Sequence, residues 1–177
     1  MRALKSLPHY TFDDYLSWEG KWELIDGIPY AMSPAASPRH QLIANNLGMA
    51  FGVSLNKCKA CKVYQPIDYK VSEDTVVQPD LLIVNKPIQK TFLDFTPALV
   101  IEILSPSTKD KDRPSKYSIF ERQGIPWYLI VDPVKVVVEI YQLIDNEYTL
   151  AKTVHDERFV FNIDPGCQAK VLFKEVW

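Results

Sequence analysis

The chain has 177 residues, with 20 Lys and Arg against 22 Asp and Glu, a formal charge of −2 with histidine neutral. An apolar share of 47%, with aromatic residues at 12%, can bury a full core and excludes a disordered tail or a disulfide mini-scaffold. The mild acidity excludes a bulk polycation, so any phosphate-bearing partner has to be met by a local basic patch or a metal ion.

The length is that of one domain, spanning 1–177. Met1 to His9 carries two charges and a proline before any apolar run long enough for a secretory signal. No window approaches the ~20 apolar residues of a membrane helix, so the chain reads as cytoplasmic with no membrane partner. The cysteines are Cys58, Cys61 and Cys167. A structural zinc site needs four ligands, and one C-K-A-C pair with scattered His9, His40 and His155 hardly completes a set, so the three read as ordinary reduced thiols.

In chain order, Thr11 precedes Phe12-Asp13-Asp14-Tyr15-Leu16, acids in a first turn with apolar residues at helical spacing, which predicts a short capped helix ended by Gly20. Trp22 to Ile25 and Ile28 to Met32 flank Asp26-Gly27, a hairpin signal. Glu23 alternates with Trp22 and Leu24 and points to the opposite face of that sheet. After the loop Ser33 to Pro38, apolar residues at 43, 47, 51 and 55 predict a long helix beginning at His40. Lys62 to Val71 and Thr75 to Val84 predict two antiparallel strands. Pro97 to Leu104 is a nearly continuous apolar run with one acid inside it, the pattern of a strand covered on both faces. Ser105 to Arg113 reads as a loop, and Asp112 to Gln123 as a helix ended by Gly124, with Asp112 as its cap. Trp127 to Val131 is a second buried strand closed by the turn Asp132-Pro133. Val136 to Leu143 and Tyr148 to Val154 form a hairpin around Asp145-Asn146, and Phe159 to Ile163 and Ala169 to Phe173 add short strands.

The chemistry lies in carboxylates placed where apolar residues belong. Asp80 opens Leu-Leu-Ile-Val, and Glu102 sits within Leu-Val-Ile-Glu-Ile-Leu. Burying an ionised carboxylate costs several kcal/mol unless a cation or hydrogen-bond donors compensate it. Two readings meet that demand: an ion pair, for instance with Arg113 or Lys116, or a divalent metal between Asp80 and Glu102. Hard oxygen ligands suit Mg²⁺ or Mn²⁺.

Pro79-Asp80, a gap of 21 residues, and then Glu102-Ile103-Leu104 resembles the P-D…(D/E)-x-K signature, PD-(D/E)XK, of the restriction-endonuclease-like nucleases, with leucine at 104 where that signature has lysine. Trp22 to Gly27, Ser37 to Gln41, Gln78 to Val84, Val100 to Thr108, Asp112 to Lys116 and Gly124 to Pro133 follow in order. The series is similar to the Uma-two family of bacterial restriction endonucleases, over roughly residues 10 to 175.

The resemblance implies an α/β fold: a restriction-endonuclease-like mixed sheet with the acids on central strands. It is flanked by the helices near 40–55 and 112–123 and has an antiparallel β extension after Val136. It implies a metal-dependent endonuclease hydrolysing phosphodiester bonds of DNA, with Asp80, Glu102 and Glu23 as metal and catalytic residues. Lys116, on the following helix, stands in for the missing lysine. His40 and Gln41, at the family's helix start, are candidates for substrate contact or for capping and packing the helix. Homodimers are usual among such nucleases. The leucine at 104 keeps open a second reading, a catalytically degenerate DNA-binding or assembly module on the same fold. A zinc-bound interaction domain through Cys58 and Cys61 is the third.

Overall fold

The computed structural model describes residues 8–32, 36–105 and 112–177, and for 112–114 the backbone only. Within the predicted loops, residues 33–35 and 106–111 therefore lie outside the described residues, as does the side chain of Asp112 with its predicted capping role.

The first helix, α1 (Phe12–Tyr15), carries a capping box in which the Asp14 carboxylate accepts the Thr11 N–H at 2.8 Å. The strands β1 (Trp22–Ile25) and β2 (Ile28–Ala31) form the predicted hairpin, with Asp26 and Gly27 at φ 49° and 76°. The long helix α2 (Pro38–Ser54) starts under Ser37, whose side chain accepts the His40 N–H at 3.2 Å.

Residues 62–84 depart from expectation. In place of two strands there are four, β3 (Lys62–Tyr64), β4 (Tyr69–Ser72), β5 (Thr75–Val77) and β6 (Leu81–Val84). Pro66 and Pro79 cut the two runs, because proline lacks the N–H that a ladder needs. The pieces then join different sheets: β4 and β5 extend the hairpin into a sheet of order β2-β1-β5-β4, whereas β3 and β6 enter the large one.

The remaining elements are β7 (Leu99–Ile103), α3 (Asp112–Arg122), β8 (Trp127–Asp132), β9 (Val137–Ile144), β10 (Glu147–Val154), β11 (Arg158–Asp164) and β12 (Cys167–Leu172). The large sheet has the order β10-β9-β8-β7-β6-β3, antiparallel except for the central pair β7 and β8. This is the predicted mixed sheet with its antiparallel extension.

Alternation sorts this sheet into two faces. Leu81, Ile83, Leu99, Ile101, Leu129 and Val131 pack toward α2 and the β11–β12 hairpin. Leu82, Val84, Val100, Tyr128 and Ile130 pack with Ile119 and Phe120 of α3. A smaller cluster of Phe12, Leu24 and Val76 ties α1 to the four-stranded sheet. Among the described residues no helix is long and apolar enough to cross a membrane.

One correction concerns the thiols. Cys58 and Cys167 are joined in a disulfide across 109 residues of sequence, their Cα atoms 5.8 Å apart, and Cys61 alone is a free thiol. The β11–β12 hairpin returns to the end of α2, a closure that no local spacing reveals.

Gly27 is required twice over: its φ is left-handed, and an added Cβ would run into the His9 ring. Gly27→Ala is expected to cost about 1–2 kcal/mol, measured by urea denaturation with an unchanged m-value.

Candidate active site

The site grows from the face on which Glu102 lies. Val100, two residues earlier on β7, packs in the α3-side cluster, and alternation sends Glu102 the same way. On α3, Lys116 lies three and four residues before the core residues Ile119 and Phe120, so it belongs to the helix face turned to the sheet. Its Nζ meets Glu102 Oε1 at 3.0 Å and Glu23 Oε1 at 2.9 Å. Glu23, on β1, also accepts the Gln78 N–H at 2.8 Å. Lys116 and Glu23 are each only 5% exposed, so the ammonium is enclosed between carboxylates from two different sheets.

Asp80 reaches the same place by register. Leu81 pairs with Ile101 and Leu82 with Val100, and one further step of that antiparallel ladder sets Asp80 opposite Glu102. Asp80 Oδ2 accepts the Ile103 N–H at 2.7 Å and lies 3.2 Å from His40 Nε2. His40 arrives from α2, where Ile43, Ala44, Leu47 and Phe51 form the buried stripe and His40 extends it by one turn. Asp80, Glu102, Glu23, Lys116 and His40 are thus brought to one region. The exposed Gln41 amide donates to the Ala36 carbonyl at 3.1 Å, just ahead of α2, while Ser37 provides the cap.

Three residues escaped the sequence reading. Gln78 Nε2 donates to Asp68 Oδ1 at 2.5 Å, and the Tyr15 hydroxyl donates to the same oxygen at 2.9 Å. This chain of bonds supports the loop 78–80, which holds Glu23 through a backbone N–H and carries Asp80. The only signal for Gln78 was its place beside Pro79-Asp80. Asp132 keeps its expected turn role, accepting the Val134 and Lys135 N–H groups at 3.0 and 3.1 Å.

The electrostatics follow from burial. Desolvation pushes Glu102 up to about 8; Lys116 opposes that rise, while Asp80 and Glu23 add to it. Burial alone would lower Lys116, but Glu102 and Glu23 outweigh it and hold the ammonium above the usual lysine range. One cation therefore serves two carboxylates, and Glu102, which also feels Asp80, is the acid pushed toward its neutral form. His40 is raised, chiefly by its hydrogen bond to Asp80.

This donor set fits a hard divalent cation. The hydrogen bonds made by the described residues fall on Asp80 Oδ2 and Glu102 Oε1. Such an ion would offset the desolvation that raises Glu102 and the negative charge that Asp80 and Glu23 add to it. Lys116 stands between Glu23 and Glu102, so the three acids converge on an ammonium and do not close on one another. Three bases between 86 and 116 have described side chains. Lys90 pairs with Asp94 at 2.6 Å, Lys86 lies 4.2 Å from the centre of the Phe95 ring, and Lys116 lies inside the site.

The sequence model of Uma2, described as "Putative restriction endonuclease", matches residues 12–165. The chain belongs to the Uma2 family. A relative, the uncharacterized protein slr1290 of Synechocystis sp., is 29% identical over 148 residues, covering 78% of this chain and 77% of that protein. The fold is similar to that of a crystal structure from Anabaena variabilis, described as a putative nuclease belonging to DUF820. The TM-score is 0.72 and the identity 15%, over 94% of this chain and 96% of that one. At that identity the likeness of this Uma2 chain to its neighbour is one of fold.

Two outcomes follow for this Uma2 chain without added metal. Glu102 binds its proton more tightly folded than unfolded, so its contribution to stability is fully present below 4.5 and is lost as pH rises through about 8. Glu102→Gln should flatten that decline, read from urea unfolding across the same window. Lys116→Ala, which leaves the buried Glu23 carboxylate without its cation, should cost about 3–5 kcal/mol at neutral pH, whereas an exposed Lys21→Ala should be near neutral in the same assay.

Proposed function

We propose that this chain is a metal-dependent endonuclease that hydrolyses phosphodiester bonds of DNA, with Asp80 and Glu102 holding Mg²⁺ or Mn²⁺ and Lys116 assisting. The observation that carries the reading is the Lys116 ammonium, 3.0 Å from Glu102 Oε1. It provides, from α3, the cation that the P-D…(D/E)-x-K pattern would have at 104, where this chain has leucine. Family membership supports the reaction class.

A bound divalent ion would supply charge for the phosphate oxygens and a lowered pKa for an attacking water. The protein's own groups do the rest. Asp80 is oriented by the Ile103 N–H and His40, which keeps its carboxylate fixed at the strand end. Glu23, held by the Gln78 N–H, positions the Lys116 ammonium. Lys116 then offers a fixed positive charge to the attacking oxygen or to the phosphate as negative charge builds up there. The hydrogen bond to Asp80 favours protonated His40, placing a second donor at the rim. A homodimer would present two such sites to the two strands of a duplex.

The test is incubation of the purified protein with supercoiled plasmid, linear duplex, single-stranded DNA and RNA, with Mg²⁺ or Mn²⁺ and with chelator. DNA nicking or linearisation is expected, abolished by chelator. Asp80→Asn and Glu102→Gln should lower it on the order of 10²-fold or more, with far-UV circular dichroism unchanged. If no DNA form is cut with either ion, and calorimetry finds the same ion binding in Asp80→Asn, the proposal fails. Duplex binding that Glu102→Gln and Lys116→Arg leave intact, with no cleavage, would favour the degenerate binding module.

A further inference from the structure

On the opposite side of the six-stranded sheet from Glu102, three sulfur atoms meet. Cys58 follows the end of α2, Cys61 precedes β3, and Cys167 opens β12. All three Sγ atoms lie within 4.8 Å of one another, with Cys61 Sγ 3.3 Å from Cys167 Sγ. The Cys58–Cys61 segment is a tight turn: the Cys61 N–H donates to the Cys58 carbonyl at 3.0 Å, and the Cys58 N–H to that of Leu55 at 2.9 Å. The backbone therefore presents two sulfurs from one C-x-x-C turn, and the β11–β12 hairpin brings the third from 109 residues away. Among the described residues this is the one group of three or more His, Cys, Asp or Glu side chains whose ligand atoms close together.

We propose that, when the Cys58–Cys167 disulfide is reduced, Cys58, Cys61 and Cys167 form a three-thiolate site for a soft d¹⁰ cation, Zn²⁺, with a fourth position open to water. Sulfurs bound tetrahedrally at about 2.3 Å from zinc lie roughly 3.8 Å apart, between the closest non-bonded separation here and the outer limit of the cluster. Thiolate softness favours Zn²⁺ over the hard ions suited to the carboxylates.

The chemistry balances with a small dithiol as reductant. Two electrons pass to the Cys58–Cys167 bond, which breaks to two thiols while the dithiol closes to its own disulfide. Zn²⁺ then replaces the three thiol protons, which go to solvent as three Zn–S bonds form. Oxidation and zinc binding exclude each other, because the oxidised cluster keeps one thiol. The site would clamp the end of α2 to the C-terminal hairpin in either state, by a covalent bond or by an ion.

The experiment reduces the full chain with a dithiol, removes the reagent without oxygen, and titrates Zn²⁺ against a chromophoric chelator and Co²⁺ by absorption. One equivalent of ion per chain is expected, with thiolate-to-cobalt charge transfer that the carboxylate site cannot produce. Cys167→Ser should weaken binding by about 10²-fold or more. Oxidised protein should show no charge transfer, and Zn²⁺ should raise the unfolding temperature of the reduced chain only. Cys61→Ser, which leaves the disulfide able to form, serves should Cys167→Ser fail to fold. The proposal is overturned if the reduced chain shows no thiolate–cobalt band, or if it binds Zn²⁺ equally well with Cys167 or Cys61 replaced.

Discussion

The enclosed ammonium of Lys116 is the constraint on which the site depends. A lysine that is 5% exposed can stay charged only where carboxylates replace the water it has lost, and here they come from Glu102 on β7 and Glu23 on β1. These strands belong to different sheets, so the ion triad can form only when the β1–β2 hairpin sits against the end of the six-stranded sheet. The loop between β5 and β6 closes the circuit. Gln78 holds Glu23 through its backbone N–H, and two residues later Asp80 caps the Ile103 N–H.

That circuit explains why so much negative charge can be gathered at one strand end. Glu23, Asp80 and Glu102 face one permanent cation among the described side chains, and burial, with Asp80 and Glu23 adding to it, makes Glu102 hold its proton up to about 8. A site in this condition favours any additional positive charge. The total charge of −2 therefore says little about the local field. Lys90 is paired and Lys116 is internal.

The central sheet keeps two chemistries apart. Its α3 face carries Glu102 and hard oxygen donors; its α2 face carries the sulfur cluster of Cys58, Cys61 and Cys167. Alternation along β7 and β8 is enough to separate them, since successive side chains on a covered strand enter different cores. α2 connects the two regions, with His40 at its beginning and Cys58 just beyond its end.

By itself the sequence determined what depends on near neighbours. Glu102 and Asp80 stood out because one interrupts an apolar run and the other opens one. Asp26-Gly27 and Asp145-Asn146 marked hairpins whose turn residues do have positive φ, helical spacing located α2, and the Gly124 stop located α3. These are properties of period and turn chemistry, which the local backbone sets. The tertiary structure alone decided the rest. Pro66 and Pro79 split the 62–84 region between two sheets, Glu23 came to share Lys116 with Glu102, and His40 met Asp80 across 40 residues. Cys167 reached Cys58 across 109. Each of these contacts depends on strand order and inter-strand register, which are settled by the packing of whole faces against one another and leave no mark on the spacing within any one segment.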